Sequence, residues 1–266
     1  KMKTLKMDEK TEERVLDQLQ FEHTELEDQI REKLSEQIHP YKKEINEALA
    51  NTATLDILLA KAQQTIDMQL CKPEISSGTT RYIKIFNPQV KEVLWQEGKK
   101  FQAIDIDIEQ GACLITGANM AGKSVILKTV ALAQTLFQFG FYVPAEQAEI
   151  ALVDEVLLCI GDEQSELNGL SSYASEMLRV NAIVQDVKAG KNALILIDEL
   201  ARTTNPTEGK AIVNAMLDFL TDKGARSLIT SHYSGIKARC KKMRVKGFVK
   251  EHVKGLLTIN NINEFI

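Results

Sequence analysis

The sequence has few of the features that mark metal-binding, disulfide-stabilised or membrane proteins. It contains only four cysteines, which lie far apart and form no C-x-x-C pair, so neither a zinc site nor a disulfide framework is indicated. No uncharged apolar run reaches the roughly 20 residues that a membrane-spanning helix needs. The amino-terminal segment is too highly charged for a secretory signal. These absences favour a cytoplasmic protein without a membrane contact.

The chain also lacks a strong excess of charge of either sign. Its formal net charge is −4 over 266 residues, so no long-range field that would attract nucleic acid is evident. One local basic cluster, residues 237–244, could bind nucleic acid, but a solvated surface turn explains it equally well. With 44% hydrophobic residues the chain can bury a substantial core, and we expect one large domain with an appendage.

Residues 1–75 are predicted to form a helical lever segment. Apolar residues recur every three or four positions, and charges fill the other faces. The apolar stripe consists of Leu26, Ile30, Leu34, Ile38, Tyr41, Ile45 and Leu49. Such a narrow stripe is typical of a coiled-coil arm, although a surface helical hairpin without a mechanical role is an alternative. Pro40 should kink the helix because it has no backbone N–H to donate. The apolar stripe is interrupted near Asn51 and Thr52 and continues from Leu55 to Ile66.

Residues 76–266 are predicted to form an α/β domain, because short apolar strands alternate with helical segments there. The strand candidates are residues 82–86, 101–108, 112–115, 149–160, 193–197 and 227–231. This alternation predicts a mostly parallel sheet with helices on both faces. A hairpin-like edge is expected over residues 245–259.

The strongest functional signal is the sequence GANMAGKS at residues 117–124, which fits the phosphate-loop pattern G-x-x-x-x-G-K-[ST]. An apolar strand pattern precedes it, and a helical pattern follows over residues 125–139. Backbone N–H groups of such a loop point at phosphate oxygens, and the helix directs its positive dipole end at the same anion. A chance glycine-rich turn is the alternative. The context of strand, loop and helix favours a site for a nucleoside triphosphate.

The residues of this loop have different predicted roles. Lys123 supplies a positive charge for the β- and γ-phosphates, and the Ser124 hydroxyl is placed to bind Mg²⁺. The phosphate-binding residues are Gly117, Ala118, Asn119, Met120, Ala121, Gly122, Lys123 and Ser124.

A second signal follows the apolar run 193–197, which predicts a central strand buried on both faces. This run ends in Asp198 and Glu199. We expect Asp198 to hold Mg²⁺ through its water shell and Glu199 to polarise the attacking water. Adjacent residues on an extended strand point to opposite sides, so the two carboxylates can take different roles.

A third signal is His232, which follows the apolar run 227–231. In a nucleotide site such a histidine can contact the γ-phosphate and take part in hydrolysis. A packed or surface histidine is the alternative. The predicted catalytic set is therefore Glu199, His232 and Lys123.

These motifs together resemble the ATPase domain of MutS-like proteins, within the ABC-type ATPase class, and the resemblance runs over nearly the whole chain. The segment TGANMAGKS is similar to that family's TGPNMGGKS. Further segments follow in the family's order: 141–146 for S-F-V-P-A-E, 169–173 with Glu176 and Met177 for G-x-S-T-F and E-M, 198–203 for D-E-I-G-R-G, and 231–233 for T-H-Y.

The resemblance implies ATP and Mg²⁺ as ligands and a composite site. Such domains dimerise head to tail across two nucleotides, so Ser171 would reach the γ-phosphate held by a second copy or a related subunit. Phe101 matches the position whose ring stacks on adenine, with core packing as the alternative. The amino-terminal helices would correspond to the family's lever, so that hydrolysis would be coupled to lever motion.

The chain departs from the family pattern at two places. Residues 203–209 read TTNPTEG where the family has G-T-S-x-x-D-G in a subunit-contact loop, and Asn87 stands where the family has histidine. The family's mismatch-reading domain and carboxyl-terminal dimerisation segment are also not found in the sequence. We therefore expect a fragment of a longer protein.

Three functions remain open from the sequence. The first is the motor part of a DNA-binding repair or recombination protein, with DNA contacted through further domains. The second is a protein-remodelling ATPase similar to those that reactivate adenosylcobalamin-dependent aminomutases, in which case the partner is a cofactor-dependent enzyme. The third is a dimerisation module that depends on nucleotide but hydrolyses it too slowly to matter.

Overall fold

The structure is a computed structural model and describes residues 9–117, 122–160 and 172–245. The chain divides into a first unit that ends at Ala60 and a second unit that begins at Lys61. The described helices are α1 (Glu9–Ile38), α2 (Lys42–Met68), α3 (Pro88–Gln96), α4 (Lys123–Gln138), α5 (Ser172–Lys188) and α6 (Pro206–Asp222). The described strands are β1 (Glu74–Ser76), β2 (Thr80–Ile85), β3 (Ile104–Ile108), β4 (Ala112–Thr116), β5 (Gln147–Ala151), β6 (Glu155–Cys159), β7 (Ala193–Ile197), β8 (Ser227–Thr230) and β9 (Lys241–Arg244).

The amino-terminal segment is one long helix with a single interruption. A 3₁₀ turn at His39–Tyr41 separates α1 from α2, and it contains Pro40, the residue at which a kink is predicted. Ile38 and Lys42 on either side are both in the right-handed helical conformation. The chain therefore stays helical through the turn, which does not support the alternative of a helical hairpin.

The interruption of the apolar stripe at Asn51 and Thr52 lies inside α2, so the helix itself continues through these residues. The Thr52 hydroxyl donates to the carbonyl oxygen of Ala48 at 2.8 Å. A threonine that bonds the carbonyl four residues back is compatible with a continuous helix. In the first unit the predicted apolar stripe is exposed, as the side chains of Ile30 and Leu34 illustrate.

The second unit is built on a parallel five-stranded sheet with the order β6-β7-β8-β4-β9. The five residues of β7 are all buried. Leu194 and Leu196 pack on one face with α4, whereas Ile195 and Ile197 pack on the other face with α5 and α6. The predicted parallel sheet with helices on both faces is therefore confirmed for these strands.

A second sheet, with the order β1-β5-β2-β3, is mixed and was not expected from the sequence. Its central strand β2 runs antiparallel to both β3 and β5. The strand predicted over residues 149–160 is in fact two strands, β5 and β6, which belong to different sheets. The chain leaves β5 after Ala151 and turns where the Asp154 carboxylate accepts the Asn192 N–H at 3.1 Å. An apolar run gives no sign of such a change of sheet.

The two sequence departures have local structural roles as helix caps. Asn87 precedes α3 and Asn205 precedes α6, and each side-chain oxygen accepts a backbone N–H of the first turn. Proline follows at the first helical position in both cases. An asparagine cap followed by proline is a strong start for a helix, because proline has no N–H to leave unpaired there.

The carboxyl end of α4 is held by Lys61 of α2. The Lys61 ammonium donates to the carbonyl oxygens of Phe139 and Gly140, each at 3.1 Å. It also lies 4.4 Å from the centre of the Phe141 ring. Helix ends leave carbonyl groups without intrahelical partners and carry a partial negative charge, so a lysine at this position is favourable.

The basic cluster at residues 237–244 is not simply a surface turn, because its last four residues form the edge strand β9. The hairpin predicted over residues 245–259 lies outside the described residues except for Val245.

All four cysteines are free thiols. Burial raises the pKa of Cys113 to about 12 and also raises the pKa of Cys159. Among the described helices, none is long and apolar enough to cross a membrane.

Candidate nucleotide site

The phosphate-loop segment connects β4 to α4, as its sequence context predicts. The strand ends at Thr116, and the helix begins at Lys123. Gly122 is the residue that precedes the helix, and its φ of 83° is in the left-handed region that favours glycine. A Cβ atom at this position would meet no heavy atom within 4 Å. Ala118, Asn119, Met120 and Ala121 lie outside the described residues.

Lys123 is the buried cation of the site. Only 5% of the residue is exposed. Its ammonium donates to the carbonyl oxygen of Gly117 at 3.1 Å and lies 3.9 Å from an Oε1 of Glu199. A buried ammonium requires such oxygen partners, because a charge away from water is costly unless it is paired. The contact with Glu199 brings the phosphate loop and the acidic pair together, as the sequence predicted.

Asp198 and Glu199 follow β7, and both contact Thr230 at the end of the neighbouring strand β8. The Thr230 hydroxyl donates to the Asp198 carboxylate at 2.6 Å and accepts the Glu199 N–H at 2.8 Å. Thr230 is fully buried. A parallel sheet brings the carboxyl ends of neighbouring strands to one edge, and ligands of such sheets bind there. One hydroxyl thus fixes both acids relative to the sheet.

The Glu199 carboxylate lies between two cations. One oxygen faces Lys123, and the other lies 3.8 Å from the guanidinium of Arg202. About 24% of the Glu199 side chain is exposed, so water can reach it. The backbone φ of Glu199 is 48°, which an L-residue with a side chain adopts only when its surroundings hold it there.

The remaining predicted site residues are Ser124, Phe101, His232 and Ser171. Ser124 is half-buried in the first turn of α4, and Phe101 is half-buried ahead of β3. His232 is exposed, and its ring centre lies 4.1 Å from that of Tyr233. Ser171 lies outside the described residues. The nucleotide roles of these residues stay predictions.

Sequence reasoning missed Thr230 and two further residues, Glu176 and Tyr233, that contact the turn after the acidic pair. The Ala201 N–H donates to the Glu176 carboxylate at 2.8 Å, and the Tyr233 hydroxyl donates to the Ala201 carbonyl oxygen at 2.7 Å. Burial, and then the charge of Glu176, raise the pKa of Tyr233, so its hydroxyl stays a neutral donor. The family-like segments contain both residues, but the motifs alone assign them no contact.

The parallel sheet, the loop after β4 and the acids after β7 together define a P-loop ATPase of the α/β class. Residues 113–262 match the family model described as MutS domain V. The chain therefore belongs to the MutS domain V family, and it carries that family's ATPase domain.

Curated relatives agree with this family. The chain is 36% identical to "Endonuclease MutS2" of Caldanaerobacter subterraneus subsp. tengcongensis over 77% of its own length and 25% of the relative. It is 34% identical to "Endonuclease MutS2" of Lactiplantibacillus plantarum over 84% of its length and 28% of the relative. The chain is 32% identical to "DNA mismatch repair protein MutS" of Chloroflexus aurantiacus over 83% of its length and 23% of the relative. Nothing in these relatives supports the aminomutase-reactivating alternative. The chain spans about a quarter of the length of the curated relatives it matches.

Proposed function

We propose that this domain binds ATP with Mg²⁺ at the carboxyl edge of the parallel sheet and hydrolyses it as the motor part of a DNA-binding repair or recombination protein. The observation that carries the proposal is the contact of Lys123 with Glu199, which joins the phosphate loop to the acidic pair. Both partners sit where ligands of parallel α/β sheets bind.

The residues at this edge have the chemistry that a magnesium nucleotide needs. Lys123 and the start of α4 offer positive charge to the phosphates. Ser124 and Asp198 offer oxygen atoms, which are the ligands that Mg²⁺ prefers. The ion would bridge phosphate oxygens and neutralise charge that develops on them. In the structure Lys123 bonds the loop carbonyl of Gly117 instead, a partner that phosphate oxygens would replace.

Glu199 is the proposed base that orients and polarises the attacking water. Its carboxylate is partly exposed beside the buried Lys123, so water and the terminal phosphate can both come within its reach. His232 at the end of the neighbouring strand is the proposed contact to the γ-phosphate. Phe101 would stack on the adenine ring.

The coupling of hydrolysis to a larger task is proposed from the relatives. Their names include mismatch repair and endonuclease, which supports DNA as the object of the whole protein. We propose that two such domains pair across two nucleotides, with Ser171 acting on the nucleotide of the second copy or a related subunit. The long helix of residues 9–68 would then be the lever that hydrolysis moves.

Replacing Lys123 with alanine tests the nucleotide site. The variant should lose tight ATP binding, measured with a fluorescent ATP analogue in the presence of Mg²⁺. Lys128→Ala is the matched control, because Lys128 is exposed on the same helix and its loss should leave the affinity unchanged. Retained submicromolar binding by Lys123→Ala would refute the assignment.

Two further measurements test the finer parts of the proposal. Steady-state ATP turnover separates an ATPase from a module that only binds nucleotide. The salt dependence of duplex DNA affinity, measured on the full-length parent, tests the DNA-directed role, because phosphate contacts release counterions and give a steep slope. A flat slope would count against DNA.

A further inference from the structure

We infer that Glu176 and Tyr233 are positioning residues for Glu199, because they hold Ala201 in a left-handed turn that directs the Glu199 carboxylate toward the nucleotide. The inference rests on the proposed function of Glu199 as the water-orienting base. It assigns roles to two side chains that lie outside the phosphate loop and the acidic pair.

The turn after β7 has an unusual backbone. Glu199 and Ala201 both have positive φ angles, 48° and 60°. Left-handed conformations bring the Cβ atom too close to the following carbonyl oxygen and are therefore unfavourable for residues other than glycine. The family-like motif D-E-I-G-R-G has glycine at the position of Ala201, so this chain adopts the turn without the residue that suits it best.

Two side chains from distant segments compensate for the missing glycine. Both polar backbone groups of Ala201 are engaged, its N–H by Glu176 of α5 at 2.8 Å and its carbonyl by the Tyr233 hydroxyl at 2.7 Å. Ala201 is fully buried, so no bulk water is available to replace these partners. Without Glu176 the buried N–H would be left unsatisfied, and without Tyr233 the carbonyl oxygen would keep only the long 3.4 Å bond from the Thr204 N–H.

The position of the tyrosine is itself fixed by packing. Tyr233 is 7% exposed, and a Cβ atom at Gly209 of α6 would overlap its hydroxyl. A glycine at this point of the helix therefore makes room for the phenol. The Tyr233 N–H also donates to the Ser231 hydroxyl at 3.1 Å, which ties the residue to the end of β8.

Glu176 and Tyr233 together form a clamp on Ala201, and this clamp acts on Glu199 through a short stretch of backbone. Thr230 holds the Glu199 N–H on one side, and the clamp holds Ala201 two residues further on. If Ala201 relaxed to an ordinary φ, the peptide between Leu200 and Ala201 would rotate, and we expect this change to shift Glu199 and move its carboxylate away from Lys123. The expected defect is therefore in the chemical step and not in nucleotide affinity, since Lys123 is placed by the start of α4 and not by the turn after β7.

The first test measures hydrogen exchange over residues 198–204 in the full chain. In Tyr233→Phe and in Glu176→Ala the segment should exchange about fivefold faster, as expected for the loss of one hydrogen bond. Glu176→Gln keeps an acceptor oxygen and should behave like the unsubstituted chain. Adding Ala201→Gly to Tyr233→Phe should restore slow exchange, because glycine adopts the left-handed turn without a clamp.

The second test measures turnover and ATP affinity on the same variants. Tyr233→Phe should lower kcat about five- to tenfold while the Kd for ATP stays unchanged, and Ala201→Gly should recover most of the lost rate. Tyr142→Phe is the control for the loss of a phenol hydroxyl, because Tyr142 is exposed.

The outcomes separate the two proposals. Unchanged exchange in Tyr233→Phe, or a failure of Ala201→Gly to rescue it, overturns the clamp. An equal loss of affinity and rate also overturns it, because that pattern indicates general damage to the site. If the unsubstituted chain binds ATP without turning it over, the hydrolytic function fails, and the exchange experiment still decides whether the clamp holds the turn.

Discussion

The two sheets of the second unit use the ends of their strands differently. In the parallel sheet, the ends of β4, β7 and β8 meet at one edge, and Lys123, Asp198 and Thr230 gather there from distant parts of the sequence. In the mixed sheet, β1 and β5 are parallel but β2 runs against both of its neighbours, so each edge contains both strand beginnings and strand ends. Its side chains, such as Tyr82 and Ile150, fill the core. The parallel sheet thus brings functional groups together at one edge, whereas the mixed sheet contributes buried side chains that support it.

The largest expected effect is on the stability of the supporting layer. Ile150→Ala should lower the free energy of unfolding by about 2–5 kcal/mol, because Ile150 is fully buried and the change leaves a cavity. Ile75 lies directly opposite on β1 but is 73% exposed, so Ile75→Ala should cost less than about 0.5 kcal/mol. Urea unfolding followed by near-ultraviolet circular dichroism measures both. Equal losses would contradict the burial difference between the two strands.

The next largest effect is on ATP turnover at the carboxyl edge of the parallel sheet. Glu199→Gln should slow ATP turnover by about 10²–10³-fold, as expected for the loss of one preorganised group, while the affinity for ATP is preserved. Glu149→Gln is the control, because it neutralises an exposed acid of the mixed sheet and should leave turnover unchanged. An unaltered rate in Glu199→Gln would remove this residue from water activation.

A smaller effect is expected at the cap of α3, which follows the mixed sheet. Asn87→Ala should destabilise the fold by about 1 kcal/mol, because the Val90 N–H loses its acceptor. Asn51→Ala, in the exposed interior of α2, removes no cap and should be neutral or slightly stabilising. Comparing their denaturation midpoints tests the assignment. A harmless Asn87→Ala would show that the cap contributes nothing.

The smallest effect should appear only in alkali, at Cys113 of the parallel sheet. Burial raises the pKa of its thiol from 9.0 to about 12. The unfolded chain therefore loses this proton first, so the stabilising contribution is complete below pH 9.0 and is lost as the pH rises toward 12. At pH 9.5 the loss from this thiol should stay below about 1 kcal/mol. Cys113→Ala should make the decline of stability with pH shallower, and identical slopes would contradict the assignment.

The parallel sheet was largely predictable because its signals are local. The run 193–197 is apolar at every position and forms β7 with the same bounds, since only a strand covered on both faces tolerates such a pattern. Lys123, Asp198 and Glu199 can be assigned to one site from the sequence because a phosphate loop needs a further carboxylate to complete its metal site and a group to orient a water. That inference needed no knowledge of the contacts.

What could not be predicted depends on tertiary partners. Residues 149–160 read as one apolar run, and nothing local shows that the chain changes sheets near Asp154. Thr230 is one of many threonines, and its role follows only from the adjacency of β7 and β8. The left-handed turn at Ala201 contradicts the local preference of alanine and exists because Glu176 and Tyr233 meet there.

The helix that follows the phosphate loop, α4, has a lysine contact at each end. At its start Lys123 bonds Gly117, and beyond its last turn Lys61 bonds Phe139 and Gly140. The 16 residues of α4 make a rod of about 24 Å, and an α-helix barely changes in length because its own hydrogen bonds fix its pitch. The phosphate loop and Lys61 are therefore joined by a rigid connection of nearly fixed length.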